Sequence, residues 1–278
     1  MFTPFAIYAK QEAAEAPPAF SPTDIAGIVA WWDAQQGITA TGTDIEVWAD
    51  QSGNGFYANA NTGREPTLTS NIAAINNLSA VSFTRTGTPA NNPYLQIQDA
   101  AGFGVGSDKI WVPANINNTR TVVAMGRTTT LGPGNTWGAF LTQGDNSRRS
   151  VSVNFQQFGR AYINFATDNY ANGGYEDTSA AYSNNTFYTA IWGWSDWATR
   201  STGAYLRVNG VDKTISDWGS APSTPTALNP RMSLFIDIGD NGAYIAADIA
   251  EMIVYDSKLS TADCQLLESY LKTKYGHY

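Results

Sequence analysis

Between Ile25 and Ser257 the sequence has no sustained helical period; it has a succession of short apolar runs closed by Gly, Asn or Pro. Runs of this length and spacing predict strands. They fall at Ile28–Asp33, Ile45–Ala49, Ala80–Thr84, Tyr94–Ile97, Thr121–Arg127, Gly138–Thr142, Ser150–Phe155, Ala161–Phe165, Phe187–Trp194, Ala204–Val208, Met232–Ile238 and Asp248–Tyr255. In Val81-Ser-Phe83 and Val151-Ser-Val153-Asn-Phe155 the apolar residues alternate, so they share one face of a pleated strand. Asn209-Gly210 and Asn241-Gly242 are hairpin signals, because both central residues of the tight turn need positive φ. A single open sheet of about a dozen strands would curl or split, so the chain is expected to stack two sheets, as in a jelly roll. Only 14% of residues are charged and 13% are aromatic, which suits strands and turns and argues against a helical bundle.

The C-terminus departs from this pattern. Ser260-Thr-Ala-Asp263 resembles a capping box, and Cys264, Leu267, Leu271 and Tyr275 recur at helical spacing. Lys272 and Lys274 suit the negative end of a helix dipole, and Gly276 can close it. One helix is predicted over Thr261–Tyr275, with Cys264 as a small core residue. At the other end, Met1–Ala9 is mostly apolar and Gln11–Pro22 is rich in Ala, Glu and Pro. The expected organisation is an extended arm and linker over residues 1–22, then a single domain over 23–278. Phe2, Phe5, Ile7 and Tyr8 are the arm's candidate docking residues. No basic start precedes the apolar stretch, so no export signal is expected.

The charge balance is 16 − 24 = −8, which disfavours nucleic acid as a partner. Membrane insertion is not expected, because no apolar run approaches spanning length. A lone cysteine, Cys264, excludes an internal disulfide and multi-cysteine zinc sites. The single histidine, His277, lies next to the C-terminus; a three-histidine metal centre or a His-dependent triad would need histidine elsewhere in the sequence.

An ordered series of motifs runs along the chain: Ile28-Val-Ala-Trp-Trp-Asp33, Val47-Trp-Ala-Asp-Gln-Ser-Gly-Asn-Gly55, Arg64-Glu-Pro66 and Ala80-Val-Ser-Phe83. It continues with Asp248-Ile-Ala-Glu-Met-Ile-Val-Tyr255, Leu259-Ser260 and Tyr270-Leu-Lys-Thr-Lys-Tyr-Gly276. Over residues 24–276 this resembles the concanavalin A-like, laminin G-like jelly-roll domains of tailed-phage virion proteins and bacterial surface proteins. The resemblance implies an all-β, two-sheet antiparallel sandwich closed by one C-terminal helix. It does not fix a function, because that fold carries lectins, glycanases and inert modules alike.

The sequence offers three kinds of candidate site. Asp50, Ser52 and Asn54 could offer oxygens to calcium, as could Asp237–Gly242; the alternative is that these side chains fix the turn, and no metal or cofactor is assigned. Paired carboxylates come next. Asp44 and Glu46 share a strand face about 7 Å apart by strand rise, whereas a retaining glycosidase holds its pair about 5–5.5 Å apart across a cleft. The Glu-x-Asp-x-Glu strand of jelly-roll glucanases does not occur in the sequence. Asp248 and Glu251, three apart, are expected on opposite faces of their strand, and Glu251 is expected to be structural. Glu176-Asp177 is expected in a loop. The third kind is aromatic. Sugar rings pack on flat aromatic faces while amides and carboxylates take their hydroxyls. Trp31, Trp48 and Trp192 sit at core positions of strands. Tyr170, Asn172, Tyr175, Trp197 and Trp218, in segments read as long loops (100–118, 171–185 and 216–230, with the stretch after Trp192), are the candidate carbohydrate- or partner-binding residues.

The resulting expectation is a non-enzymatic virion structural or decoration protein. It would dock through residues 1–22 onto other virion or surface proteins and display a jelly-roll domain to host glycans. A lectin or adhesin of a bacterial surface is the alternative, and a glycan-cleaving enzyme the third reading. The expected location is the virion, with the bacterial surface as its alternative; a homo-oligomer is left open.

Overall fold

The computed structural model describes residues 20–84, 92–99, 102–103, 119–130, 140–145, 148–157, 160–166, 172–178, 182–195, 201–219, 232–234 and 246–278. All strand pairs among them are antiparallel and fall into two layers. The helix-side sheet runs β16 (Val211–Asp212), β15 (Ala204–Val208), β14 (Tyr188–Trp194), β9 (Arg120–Thr130) and β19 (Ala246–Tyr255). Beyond β19, strand β1 (Ile28–Asp33) pairs with its C-terminal half and β6 (Leu78–Phe83) with its N-terminal half; β5 (Thr67–Ile72) lies outside β6. The open sheet runs β2 (Ile38–Thr41), β3 (Asp44–Ala49), β4 (Tyr57–Ala60), β7 (Leu95–Asp99), β18 (Met232–Leu234), β10 (Leu141–Asp145), β11 (Arg148–Gln157), β12 (Arg160–Ala166), β13 (Asn172–Asp177) and β17 (Ile215–Gly219). A two-residue strand, β8 (Gly102–Phe103), closes on the end of β7. Among the described residues the two layers are joined by one bridge, Asp44 to Thr67. This is the expected all-β sandwich of jelly-roll type.

Two cores explain why every residue of β19 is buried. Between the sheets lie Trp32, Trp48, Phe83, Val122, Phe140, Ile163, Tyr175 and Trp192, together with Ile249, Met252 and Val254 of β19. On the other face of the helix-side sheet, Trp31, Val123, Met125 and Ile191 pack with Ala250, Ile253 and Tyr255 of β19 against the helix α1 (Thr261–Tyr275). The strand therefore alternates between two apolar environments and reads as a continuous apolar run. Trp48 also donates its indole N–H to the Asp33 carbonyl at 3.0 Å, joining β3 to β1 across the core.

Helix α1 has the expected caps. Ser260 Oγ accepts from the Asp263 amide, and Gly276 takes φ 64°, its amide donating to the Lys272 carbonyl. Cys264, Leu267, Leu271 and Tyr275 are buried. Arg207 of β15, also buried, donates through Nε and Nη2 to the two oxygens of Glu268 at 2.8 and 3.0 Å and so ties the helix to the sheet. The Asn209-Gly210 turn adopts φ 50° and 77°, as a two-residue hairpin requires. Residues 20–22, read from sequence as the end of the linker, pack on the body: Phe20 meets Tyr270 edge-on at 5.9 Å, and Tyr255 donates its hydroxyl to the Pro22 carbonyl. The docking residues Phe2, Phe5, Ile7 and Tyr8 lie outside the described residues, as do the Asn241-Gly242 turn and the Asp237–Gly242 oxygens.

The structure corrects the loop reading for parts of 171–185 and 216–230. Asn172–Asp177 is an interior strand of the open sheet, and Ile215–Gly219 is its edge. Glycines in Asn172-Gly-Gly-Tyr175 lower local strand propensity; pairing with a partner on each side supplies what the local sequence lacks. Glu176-Asp177 is accordingly on a strand, with the Asp177 side chain buried.

Candidate functional site

Of the residues proposed from sequence for calcium, Asp50, Ser52 and Asn54 are engaged within the protein. Asp50 Oδ1 accepts from the backbone amides of Trp31 and Ser52 at 2.7 and 2.9 Å, and Oδ2 accepts from Ser52 Oγ at 2.6 Å. Asn54 Nδ2 donates to the carbonyls of Val29 and Ile28. The turn is a clasp that holds β3 to β1. Among the described residues, no group of three or more His, Cys, Asp or Glu side chains is placed to hold a metal ion.

The carboxylates separate in the same way. Asp44 and Glu46 are exposed on β3, and Glu46 accepts from Thr41 Oγ1 at 2.6 Å. Asp248 and Glu251 do not face opposite sides of β19: a register shift between Ile249 and Glu251 adds one residue, and both carboxylates lie on the face away from the sandwich core. Asp248 accepts from Ser82 Oγ at 2.6 Å and pairs with Arg127 at 2.7 Å. Glu251, 1% exposed, accepts from the Trp31 indole at 2.7 Å, from the hydroxyls of Tyr270 and Tyr275 at 3.0 and 2.8 Å, and from Lys274 Nζ at 2.7 Å. Burial pushes its carboxyl above the ordinary range, and the Lys274 ammonium opposes that. Glu251 thus fixes β1, β19 and α1 together, the structural role expected of it.

Of the five aromatic and amide candidates, Tyr170 and Trp197 lie outside the described residues. Tyr175 is fully buried between the sheets, so its side chain is core and not surface. Trp194, which shares its sequence block with Trp197, is buried there as well. Asn172 and Trp218 are brought together by backbone register. Trp218 pairs with Gly174, and Asn172 lies two residues before Gly174 on the same face of β13, about 7 Å along the strand.

That register extends across the open sheet. Leu95, Leu141, Val153, Ile163 and Tyr175 occupy one transverse row and are all buried in the sandwich core. The neighbouring row of paired positions, on the opposite face of the sheet, reads Trp218, Gly174, Asn164, Ser152, Thr142, Ser233, Gln96 and Asn59. It is uncharged, is made of hydroxyl and amide residues, and ends in tryptophan beside a glycine. At about 4.8 Å per strand it spans roughly 34 Å. Among the described residues, helix α1 and its apolar cluster lie wholly against the other sheet. Tyr162 pairs with Glu176. Sequence reasoning passed over Tyr162, although the alternation Ala161, Ile163, Phe165 assigns it to the face opposite the core.

A separate polar cleft of about 180 Å³ opens at the rim where the two sheets are bridged. It is lined by Asp44, Gly63, Arg64, Glu65, Thr67, Ser82, Thr84 and Pro93. Arg64 is braced there, with Nε donating to the Asn92 carbonyl at 2.9 Å and its guanidinium 4.3 Å from the centre of the Tyr94 ring.

No protein-family model and no curated protein matches the chain. Solved structures do. The binding domain of Paraclostridial Mosquitocidal Protein 1 has a TM-score of 0.55 at 11% identity, covering 89% of this chain and 53% of that one. The botulinum neurotoxin type G receptor-binding domain has a TM-score of 0.52 at 12% identity, covering 88% and 51%. A botulinum neurotoxin type C structure, for which passage into cells depends on interaction with two ganglioside molecules, has a TM-score of 0.56 at 10% identity, covering 90% and 52%. The chain spans about half the length of each. At these identities the likeness concerns the fold.

Proposed function

We propose that this chain is a non-enzymatic glycan-binding module that lays a saccharide across the outer face of its open sheet. The observation that carries the reading is the transverse row from Trp218 to Asn59. Hydroxyl and amide residue types combine donor and acceptor capacity, tryptophan is a residue type whose flat ring packs on the C–H face of a sugar, and the alternate positions Tyr175, Ile163, Val153, Leu141 and Leu95 of the same strands are buried in the apolar core. The carboxylates argue against catalysis: Asp248 and Glu251 are consumed by buried structural contacts, and Asp44 and Glu46 lie side by side on one strand instead of across a cleft. Neighbours in fold are named as receptor-binding domains, and one interacts with gangliosides, which supports the same reading. The test is retention of the full chain on immobilised polysaccharides, alone and with Trp218→Ala. The reading requires retention that the variant weakens, with no reducing ends released.

A location on a virion or a bacterial surface belongs to the same proposal. The sequence resemblance and the apolar segment Met1–Ala9 support it. Deleting residues 1–22 is expected to leave glycan retention intact and abolish attachment to the particle or surface; attachment that survives the deletion counts against the docking arm.

A further inference from the structure

We infer that the rim cleft is a second saccharide subsite, one that takes an uncharged or amine-bearing sugar unit and rejects a carboxylated one. The inference rests on the glycan-binding reading but concerns a different place on the molecule, where the layers are bridged at Asp44 and Thr67. The floor is fixed, because Ser82 Oγ already donates to Asp248 Oδ1 at 2.6 Å and shares a hydrogen bond of 2.7 Å with Thr69 Oγ1. Three wall side chains are not consumed. Among the described residues no partner takes the hydroxyl of Thr67 or Thr84 or the carboxylate of Asp44. Glu65, which also lines the cleft, accepts the Gly63 amide through Oε1 at 2.9 Å, and no partner takes Oε2 among the described residues. The opening therefore combines two carboxylates, two available hydroxyls and one guanidinium braced against Tyr94.

Carboxylates accept hydrogen bonds strongly and threonine hydroxyls both donate and accept, which matches the neighbouring hydroxyls of a sugar ring. The local charge is two negative against one positive, on a chain whose net charge is −8. A sugar ammonium gains from that balance, and a sugar carboxylate meets like charge. The volume of about 180 Å³ is small for a ligand pocket, for which 300–1,000 Å³ is common, so the cleft fits one sugar unit and not a chain.

The experiment is NMR titration of the full chain at low ionic strength with the methyl glycosides of glucose, glucosamine and glucuronic acid. It is repeated with the double variant Asp44→Asn, Glu65→Gln, whose substitutions are isosteric. The expected result is about fivefold tighter binding of the amine-bearing than the carboxylated glycoside, the size an exposed charge pair supplies. The preference should fall to near unity in the double variant and shrink with added salt. Equal or tighter binding of the glucuronide, or a preference that survives in the double variant, overturns the inference. So does calcium binding that the double variant abolishes while no sugar responds. If the chain is retained on polysaccharide through Trp218 while the three glycosides bind alike, the cleft inference falls and the glycan-binding reading stands. If neither polysaccharide nor any glycoside binds, both fall.

Discussion

Glu251 is the residue where both layers of the helix-side packing converge, with partners on β1 (Trp31) and α1 (Tyr270, Lys274, Tyr275). Removing one member of such a buried set leaves the others desolvated and unpaired, at a cost of about 3–5 kcal/mol. Glu251→Ala is therefore expected to lose about that much in urea unfolding; a loss under 1 kcal/mol would mean the network is slack. The pH dependence of Glu251 has a definite sign. Because its native carboxyl is raised by burial, its contribution is present below the ordinary glutamate value and is lost as pH rises through the raised one. His277 acts in the opposite direction. Its Nδ1 is buried without a partner among the described residues, and burial, aided by Lys272, pushes the imidazole down to about 4. An unfolded histidine takes its proton near 6.5, so folding stability is expected to fall as pH drops from about 6.5 to about 4. His277→Gln should flatten that part of the curve, and an unchanged slope would contradict the buried neutral ring.

Among the elements, helix α1 tests how local signals set boundaries. Gly276 sits at φ 64°, and a Cβ there would run into the side-chain amide of Asn76. Gly276→Ala is expected to cost more than about 1 kcal/mol, from the left-handed backbone and the clash together; a neutral result would show that the helix end frays freely. Cys264 is fully buried, and burial raises its thiol above the ordinary value. A thiol reagent should label it only after unfolding. The helix and β1 were legible to the residue in the sequence because caps and a short bounded apolar run are local. Strand β13 was not, since Asn172-Gly-Gly reads as a loop and becomes a strand only between β12 and β17. The register shift that puts Glu251 on the helix face was equally hidden, because a single extra residue in a strand leaves no trace in its composition.

At the scale of the whole molecule, the described residues that lie against the two sheets differ. One carries α1 and a second apolar cluster; the other carries a row of hydroxyl and amide positions backed by the sandwich core. Two of the five candidate binding residues, Asn172 and Trp218, lie on the paired strands β13 and β17, while Tyr175 belongs to the core. Sequence alone could identify aromatics near Gly and Asn, but which side of the sheet each occupies depends on pairings between distant strands. The direct test is calorimetric titration of the full chain with the polysaccharide that retains it, against Trp218→Ala and Asn164→Ala. The account predicts at least tenfold weaker binding in Trp218→Ala, several-fold weaker binding in Asn164→Ala, unchanged thermal stability in both, and no release of reducing ends. Binding unaffected by either substitution, or cleavage of the bound glycan, would contradict it.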